Sequence, residues 1–285
     1  MLILVTGASG KTGQAVVRAL TQAGAATRAL VHRQEQVVPL RELGATEVVV
    51  GDLRDDQSLM EAMQGIDAIY HICPPVQPDE AAIGQRMITL AGDAHVSRFV
   101  YHSVLHPQIA AMPHHAQKLR VETALIQSNL PFTILQPAAF MQNLREMWSR
   151  IVEQGIFTSF FGLHTGMSLV DLDDVADVAV RVLTEDSHRY ATYELSGPAV
   201  LTAAGIADTL GQAFGRPVTA ESLDIEKWAP RMRDHGMPDH SVQTLATMFR
   251  YYEQHGLTGN PHVLTMLLKR PPTDVAGFIA RMLAQ

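Results

Sequence analysis

The chain has 285 residues, of which 47% are hydrophobic and 18% are charged, so it can bury a sizeable core and does not have the composition of a disordered protein. Its net charge of −7 and the lack of a basic block argue against a nucleic-acid partner, and its single cysteine, Cys73, excludes an internal disulfide. No apolar run approaches the roughly 18 residues of a membrane span, and Met1 leads directly into an apolar segment, so we expect a cytoplasmic protein without a signal peptide.

Strand-like and helix-like segments alternate over the first half of the chain. The strand-like runs are apolar throughout, which is typical of strands that are covered on both faces. We predict six strands, in LILVTG from Leu2, TRALVHR from Thr27, EVVVGDL from Glu47, AIYHIC from Ala68, RFVYHSV from Arg98 and FTILQPA from Phe132. Helices are predicted at 14–23, 58–63, 85–94 and 117–127. This order predicts an α/β protein with a doubly wound parallel sheet.

The order of the elements changes after Ala138. FMQNLREMWSRIVEQG is predicted to be one helix, SLVDLDDVADVAVRVLTED an amphipathic helix, and TYELSG a further strand. From Leu201 onwards the segments are mainly helical. We therefore predict a dinucleotide-binding core at 1–139, to which 168–200 returns, and a smaller, mainly helical substrate cap at 140–167 and 201–285.

The stretch LVTGASGKTGQAVV, which begins at Leu4, contains two overlapping nucleotide signatures. Gly10 and Lys11 end like a P-loop, but the first glycine of that motif would fall on Val5, inside the strand. A nucleophile elbow around Ser9 also fails, because Lys11 stands where its last glycine would be. Neither an NTPase nor a serine hydrolase is therefore indicated.

The same stretch fits a dinucleotide-binding turn between a strand and a helix. Gly7 permits a tight turn, Gly10 lets the backbone approach a pyrophosphate, and Gly13 lets the helix pack closely on the sheet. The helix N-terminus then offers N–H groups to the phosphates. The predicted phosphate-binding residues are Gly7, Ser9, Gly10, Lys11, Thr12 and Gly13. The alternative is a glycine-rich turn without a ligand.

The end of the second strand indicates which dinucleotide is bound. An NAD site usually has an acid about 20 residues after the turn, whereas Arg33 stands 20 residues after Gly13 and the nearest acid, Glu35, lies beyond the strand. A guanidinium suits a 2′-phosphate, so we predict NADP(H) in preference to NAD(H); the alternative is an ordinary solvated arginine. Asp52 and Leu53, in GDL, are predicted beside the adenine, with a helix cap as the alternative role of Asp52.

These motifs together resemble one known family. TGASGKTG, ALVHR, GDL, YHSVLHP, ILQPAAFMQN and YYEQHGLTGNPHVL are similar to segments of the NmrA-like branch of the atypical short-chain dehydrogenases/reductases. The resemblance covers most of the chain and implies a Rossmann fold that binds NAD(P). Reductases of the broader superfamily use a serine and a Y-x-x-x-K pair, in which the lysine assists the tyrosine.

This sequence departs from that pattern, because no tyrosine has a lysine four residues later. His114 stands four residues before Lys118, and Ser103 follows the fifth strand where the family serine would be. His114 could deliver a proton near neutral pH, although a neighbouring ammonium would lower its pKa. Lys118 could orient the cofactor or act as the acid. The alternative is a solvated helix start with no catalytic role.

A substrate pocket is expected over the carboxyl ends of the strands, between the sheet and the cap. Phe140, Met141, Asn143 and Trp148 are predicted to line it, with core packing as the alternative. Cys73 is predicted near the cofactor, as a small buried residue and not a redox centre. The histidines show no metal-binding spacing, so no metal site is predicted.

Two functions follow from these observations. The first is an NADPH-dependent reductase of a small apolar carbonyl, enone or quinone-like substrate. The second is a non-catalytic NADP(H) sensor that acts through a protein partner, which the missing tyrosine favours. A homodimer is left open.

Overall fold

A computed structural model describes residues 1–284. The strands are β1 (Leu2–Val5), β2 (Ala26–Val31), β3 (Glu47–Val50), β4 (Ala68–His71), β5 (Arg98–His102), β6 (Phe132–Pro137), β7 (Ala139–Phe140), β8 (Ile156–Ser159), β9 (Met167–Val170), β10 (Ala191–Leu195), β11 (Val200–Leu201) and β12 (Thr219–Ser222). The helices are α1 (Lys11–Gln22), α2 (Val37–Glu42), α3 (Asp56–Met63), α4 (Glu80–Asp93), α5 (Pro113–Ile126), α6 (Trp148–Gln154), α7 (Leu172–Thr184), α8 (Ala203–Phe214), α9 (Ile225–Asp234), α10 (Asp239–His255), α11 (His262–Leu268) and α12 (Val275–Leu283).

The chain forms two compact units. Unit 1 contains Met1–Gln108, His114–Gln136 and Val175–Tyr193. Unit 2 contains Ile109–Pro113, Pro137–Asp174 and the chain from Glu194 onwards. The domain boundaries given by the sequence stay a prediction.

A seven-stranded sheet in the order β10-β6-β5-β4-β1-β2-β3 confirms the doubly wound α/β fold. The neighbouring pairs from β3 to β6 are parallel. Every residue of β4, β5 and β6 is buried, as expected for strands with helices on both faces. Each fully buried large apolar side chain contributes about 1.5–3 kcal/mol, and this strand interior is the core of unit 1. The crossing point of the sheet lies between β1 and β4, where the chain leaves β1 for one flank and later returns to the other.

Side-chain caps begin several helices. Asp55 accepts hydrogen bonds from the backbone N–H groups of Gln57 and Ser58 at the start of α3. Thr202 and Asp274 cap α8 and α12 in the same way. Such caps contribute about 1 kcal/mol each, because they satisfy donors that a helix cannot satisfy itself.

Unit 2 differs from the sequence prediction in two places. The single helix predicted over 140–155 is instead a 3-10 helix at Met141–Met147 followed by α6. In the segment predicted as one helix at 168–186, β9 precedes α7, and β9 pairs with β7 and β11. The apolar periodicity of this segment favours a helix, but hydrogen bonding to strands from distant parts of the chain makes its first residues a strand. A second small sheet, β12-β8, also lies among the helices of this unit.

Buried carboxylates hold unit 2 together around the start of α7. Asp171, which is fully buried, accepts hydrogen bonds from Gln142 Nε2 at 2.7 Å and from Arg281 at 2.5 Å. Asp174 is paired with Arg270 at 2.7 Å. A buried carboxylate without such partners would be strongly destabilising, so these contacts fix α12 and the 3-10 helix to the same carboxylate. Over residues 1–284, no helix combines the length and apolar character that a bilayer crossing requires.

Candidate functional site

The glycine-rich turn closes tightly between β1 and α1. Gly7 has a positive φ of 57°, a conformation that suits glycine, and its carbonyl accepts a hydrogen bond from Gly10 N at 3.1 Å. Gln14 then bonds back to the turn, with its N–H to Gly10 O and its side-chain amide to Ser9 O. The turn is therefore held by its own backbone and by one side chain of α1.

The turn has no room for a side chain at Gly13. A Cβ there would lie 2.3 Å from Gly7 O and 2.5 Å from Ala8 Cα, both backbone atoms. At Gly7 a Cβ would lie 2.9 Å from Ile72 O, at the end of β4. Only hydrogen fits at either position without a shift of the backbone.

The N-terminus of α1 suits an anion. Its N-cap is Gly10, so no side chain caps the helix within the described chain, and its first turn carries no acid. The first N–H groups of a helix lack intrahelical partners and carry a partial positive charge. A glycine-rich turn that leads into a helix N-terminus without a side-chain cap fits a pyrophosphate.

Arg33 lies just beyond β2 and is largely exposed. Its Nε is 3.2 Å from Glu35 Oε1, and 63% of the Arg33 side chain is accessible. An exposed pair of this kind contributes only about 0–1 kcal/mol, so Glu35 does not prevent the guanidinium from turning to a phosphate. The backbone N–H of Arg33 is held by Gln36 Oε1 at 3.0 Å, which fixes the position from which the side chain extends.

Asp52 lies after β3, and its carboxylate accepts a hydrogen bond from Arg54 N at 2.9 Å. Its own N–H donates to Ser58 Oγ. The cap of α3 is Asp55, so the alternative role of Asp52 as the cap of that helix is wrong. The role beside an adenine stays a prediction.

Leu53 and Cys73 both contact the core of unit 1. Leu53 is half-buried and packs against the main apolar cluster, to which Cys73 belongs. Burial raises the pKa of the Cys73 thiol, which keeps it protonated. A thiol in this state is a weak nucleophile, as the sequence predicted for this residue.

Lys118, on α5, forms a buried ion pair. Its Nζ lies 2.7 Å from Glu80 Oε1, and the two side chains are 15% and 1% exposed. The same nitrogen donates to His102 O at 3.4 Å and lies 5.6 Å from the centroid of the Tyr101 ring. The Tyr101 hydroxyl donates to the same Glu80 oxygen at 3.0 Å. The ammonium, which extends from α5, is therefore held in place by groups from α4 and from β5.

Ser103 follows β5, and its hydroxyl donates to Glu122 Oε1 instead of bonding with Lys118 or His114. Gln136 Nε2 lies 2.9 Å from each oxygen of the same carboxylate. Burial raises the pKa of Glu122, although both hydrogen bonds act in the opposite direction. The predicted Ser103, His114 and Lys118 cluster is therefore not connected through the serine.

His114 is a neutral imidazole in this environment. Burial, then His115 and Lys118, lower its pKa to about 3. Its ring stands edge-to-face on that of His115, with centroids 4.5 Å apart, and its buried Nδ1 has no hydrogen-bond partner within residues 1–284. A pKa this low disfavours delivery of a proton by a protonated His114 near pH 7, which is one of the roles that the sequence suggested.

Two further histidines are buried at the ends of the central strands. His71 Nδ1 lies 2.9 Å from Thr6 Oγ1, and His102 Nδ1 lies 2.8 Å from the Tyr70 hydroxyl. Burial first, and Lys118 second, lower the pKa of both to about 3. His115 has a pKa lowered to about 4, again chiefly by burial. The Lys118 ammonium thus contributes to the lowered pKa of all four imidazoles.

The predicted substrate-lining residues all lie in unit 2. Phe140, Asn143 and Trp148 are half-buried, and Met141 is buried. The Trp148 ring contacts Phe214 with a centroid distance of 5.6 Å. Their role toward a substrate stays a prediction. Within the described part of the chain, no three His, Cys, Asp or Glu side chains are placed to hold a metal ion.

Four residues of this site have no motif in the sequence. Glu80 and Tyr101 contact Lys118 directly, Glu122 accepts a hydrogen bond from Ser103, and Gln136 donates to Glu122. From the sequence, Glu80 is recognisable only as an acid near the start of a helix. No known motif pairs an acid with a lysine 38 residues later. The two residues meet because β4 and β5, which precede their helices, are neighbours in the sheet.

Comparison with known proteins agrees with these features. The model of the NmrA-like family matches residues 1–279. An NAD(P)H azoreductase of Xenophilus azovorans is 31% identical over 285 aligned residues, covering 97% of this chain and 96% of the relative. A (4-alkanoyl-5-oxo-2,5-dihydrofuran-3-yl)methyl phosphate reductase of Streptomyces griseus is 32% identical, covering 79% and 78%. An NADPH-dependent quinone oxidoreductase of Escherichia coli, solved with NADPH, has a TM-score of 0.84 at 25% identity, with 99% of both chains covered.

The packing at Gly13 predicts a specific effect of a single methyl group. Gly13→Ala should lower stability by at least 1 kcal/mol, because the backbone must shift to admit the Cβ, and should weaken NADPH binding at least 10-fold. The measurements are urea unfolding and a fluorescence titration with NADPH. Gly92→Ala is the control, because it also lies in a helix and its Cβ would meet nothing within 4 Å. Equal effects of the two substitutions would contradict the close approach.

The buried histidines predict a loss of stability in mild acid. Their pKa values are lower in the folded chain than the ordinary value of about 6.5, so unfolding takes up protons as the pH falls from 6.5 towards 3–4. Their contribution is complete about one pH unit above 6.5; each histidine has removed about 0.4 kcal/mol at pH 6.5 and removes up to about 1.4 kcal/mol per pH unit below it. Glu122, whose pKa is raised, partly offsets this loss. Urea unfolding at pH 7.5, 6.5 and 5.5 should show a drop of about 1–1.5 kcal/mol in the first interval and a larger drop of about 3–4 kcal/mol in the second.

Two variants locate the effect. His71→Asn should reduce the slope of the unfolding free energy against pH, below pH 6.5, by the equivalent of about one proton. His262→Asn, at an exposed position on α11, should leave this slope unchanged. A free energy of unfolding that is the same at pH 7.5 and 5.5 would show that these imidazoles are not held neutral by the fold.

Proposed function

The chain belongs to the NmrA-like family, and we propose that it is an NADPH-dependent reductase of a small apolar carbonyl, enone or quinone-like substrate. The observation that carries the proposal is that unit 1 combines a turn fitted to a pyrophosphate with a buried ammonium, Lys118, at the carboxyl ends of the central strands. Relatives that match along nearly the whole chain are an NAD(P)H azoreductase and an NADPH-dependent quinone oxidoreductase. An unsaturated electrophile accords with the azo and quinone acceptors that the names of these relatives state.

The cofactor contacts are proposed from the residues of unit 1. Gly7, Gly10 and Gly13 would admit the pyrophosphate, with Ser9, Lys11 and Thr12 beside it at the start of α1. Arg33 would bind the 2′-phosphate with charge-assisted hydrogen bonds. Asp52 and Leu53 would lie beside the adenine, and Cys73 would lie near the cofactor. When bound, NADPH supplies the hydride of the reaction.

Lys118 is proposed to carry the main catalytic charge. A fixed ammonium can orient the cofactor and stabilise the negative charge that develops on the substrate oxygen, an effect typically worth 10²–10³-fold in kcat. Neutral His114 can take part as a hydrogen-bonding group. Ser103 would have to exchange its bond to Glu122 for one to the substrate, so its contribution is proposed to be smaller.

Phe140, Met141, Asn143 and Trp148 are proposed to contact the substrate, since an apolar and aromatic lining favours an apolar molecule over a sugar nucleotide. We also propose a cytoplasmic location and no nucleic-acid partner, in keeping with the net charge of −7 and the absence of a basic block. A homodimer is left as a proposal that sedimentation would test.

The activity test compares the wild-type protein with Lys118→Ala. NADPH oxidation is followed at 340 nm against menadione, cyclohexenone, an aromatic aldehyde and an azo dye. The expected result is turnover of at least one acceptor, with about a 100-fold lower kcat/KM in Lys118→Ala and retained NADPH binding. Tight binding of one redox form without turnover of any acceptor would favour the alternative, a redox sensor that acts through a protein partner.

The cofactor preference is tested at Arg33. Arg33→Ala should raise the Kd for NADPH about 10–100-fold, because charge-assisted hydrogen bonds to a phosphate contribute about 1.5–3 kcal/mol. The Kd for NADH should change less than about 3-fold, since NADH lacks the 2′-phosphate. Arg189→Ala, which also removes an exposed arginine, is the matched control. Equal losses for the two cofactors would refute the role of Arg33.

A further inference from the structure

Glu80 is a carboxylate in the first turn of α4, and it is only 1% exposed. Removing a carboxylate from water is costly unless charges or hydrogen bonds compensate it. Its compensation comes from two groups, Lys118 Nζ at 2.7 Å and the Tyr101 hydroxyl at 3.0 Å, and both meet the same oxygen, Oε1. The fold therefore retains a buried carboxylate, one oxygen of which binds both the Lys118 ammonium and the Tyr101 hydroxyl.

The neighbouring acids are engaged elsewhere. Asp79, one residue earlier, forms a two-point ion pair with Arg54 at 2.7 and 3.0 Å. Glu122, on the same helix as Lys118, binds Ser103 and Gln136. Glu80 is thus the carboxylate that holds Lys118, and the neutral histidines around the ammonium supply no competing charge.

The contacts fix the ammonium from several sides. Of its three N–H groups, one points to Glu80 and one to the His102 carbonyl, while the Tyr101 ring lies within cation–π distance. One N–H is left to bind a ligand. A lysine side chain is otherwise flexible and would have to be ordered each time a substrate binds.

We propose that Glu80 is a positioning residue, which holds the Lys118 ammonium at the carboxyl end of β5 so that it serves as a fixed cation for the reaction. This inference rests on the proposed function, in which Lys118 carries the catalytic charge. In reductases with the Y-x-x-x-K pattern, the lysine assists a tyrosine on its own helix; here the ammonium is held by a carboxylate from a different helix.

The test uses Glu80→Gln, which keeps the shape and removes the charge. With the acceptor that the wild-type protein reduces fastest, kcat should fall about 10–100-fold, because misplacement by about 1 Å costs up to that factor, while the KM for NADPH changes little. Asp79→Asn is the matched control and should keep the wild-type kcat. Glu80→Asp, which keeps the charge, should restore part of the loss.

A double variant separates positioning from a general structural role. If Glu80 acts through Lys118, then Glu80→Gln together with Lys118→Ala should be no slower than Lys118→Ala alone. A structural defect would instead lower kcat by the same factor in both backgrounds, which would overturn the inference. If Glu80→Gln does not fold, the same comparison is made with Glu80→Asp, for which a smaller loss of the same non-additive kind is expected.

A measurement that needs no turnover keeps this inference distinct from the proposed function. Acetylation of lysines by an N-hydroxysuccinimide ester, read by peptide mass spectrometry, should be at least 5-fold faster at Lys118 in Glu80→Gln than in the wild type. Exposed Lys227 is the internal control. An unchanged rate at Lys118, or a wild-type kcat in Glu80→Gln while Lys118→Ala is slow, would overturn the inference. A wild-type kcat in Lys118→Ala would overturn the proposed function instead.

Discussion

The close approach of α1 to the end of β1 is the constraint on which the cofactor half of this protein depends. A hydrogen at position 13 is all that separates the helix from the Gly7 carbonyl and Ala8. Because the helix starts so near the strand, the N–H groups of its first turn lie over the carboxyl end of β1, at the crossing point of the sheet. The site is made from backbone groups, so its affinity for phosphates depends on packing more than on any side chain.

Lys118 is the second organising element, and its surroundings show how a fold places a charge. Four imidazoles are kept neutral by burial and by the ammonium itself, and the carboxylate of Glu80 faces it at 2.7 Å. Electrostatic interactions are stronger in such an environment than in water. The arrangement favours a fixed positive charge at Lys118. It disfavours proton delivery by His114, so unit 1 is better suited to stabilising charge than to acid catalysis by this histidine.

A tyrosine does contact Lys118, but it lies on a strand and not on the lysine's own helix. Tyr101 lies on β5, donates to Glu80 and presents its ring to Lys118, but burial and Glu80 raise its pKa well above the ordinary value. A phenol in this state is a poor proton donor. Tyr101 therefore does not replace the tyrosine of the Y-x-x-x-K pair as a proton donor.

The sequence by itself determined the parallel sheet, the glycine-rich turn and the family, because apolar runs, glycine spacing and helix stops act over a few residues. It also indicated a functional role for Lys118, from its place on the helix that follows the fifth strand. Only the tertiary structure decided that Glu80 binds Lys118 and that Glu122 binds Ser103, since these partners are 38 and 19 residues apart and meet through strand order. It also decided the neutral state of His114, which follows from burial, and the split of the segment after Ala138 into strand, 3-10 helix and α6, where pairing with distant segments outweighed local helical preference.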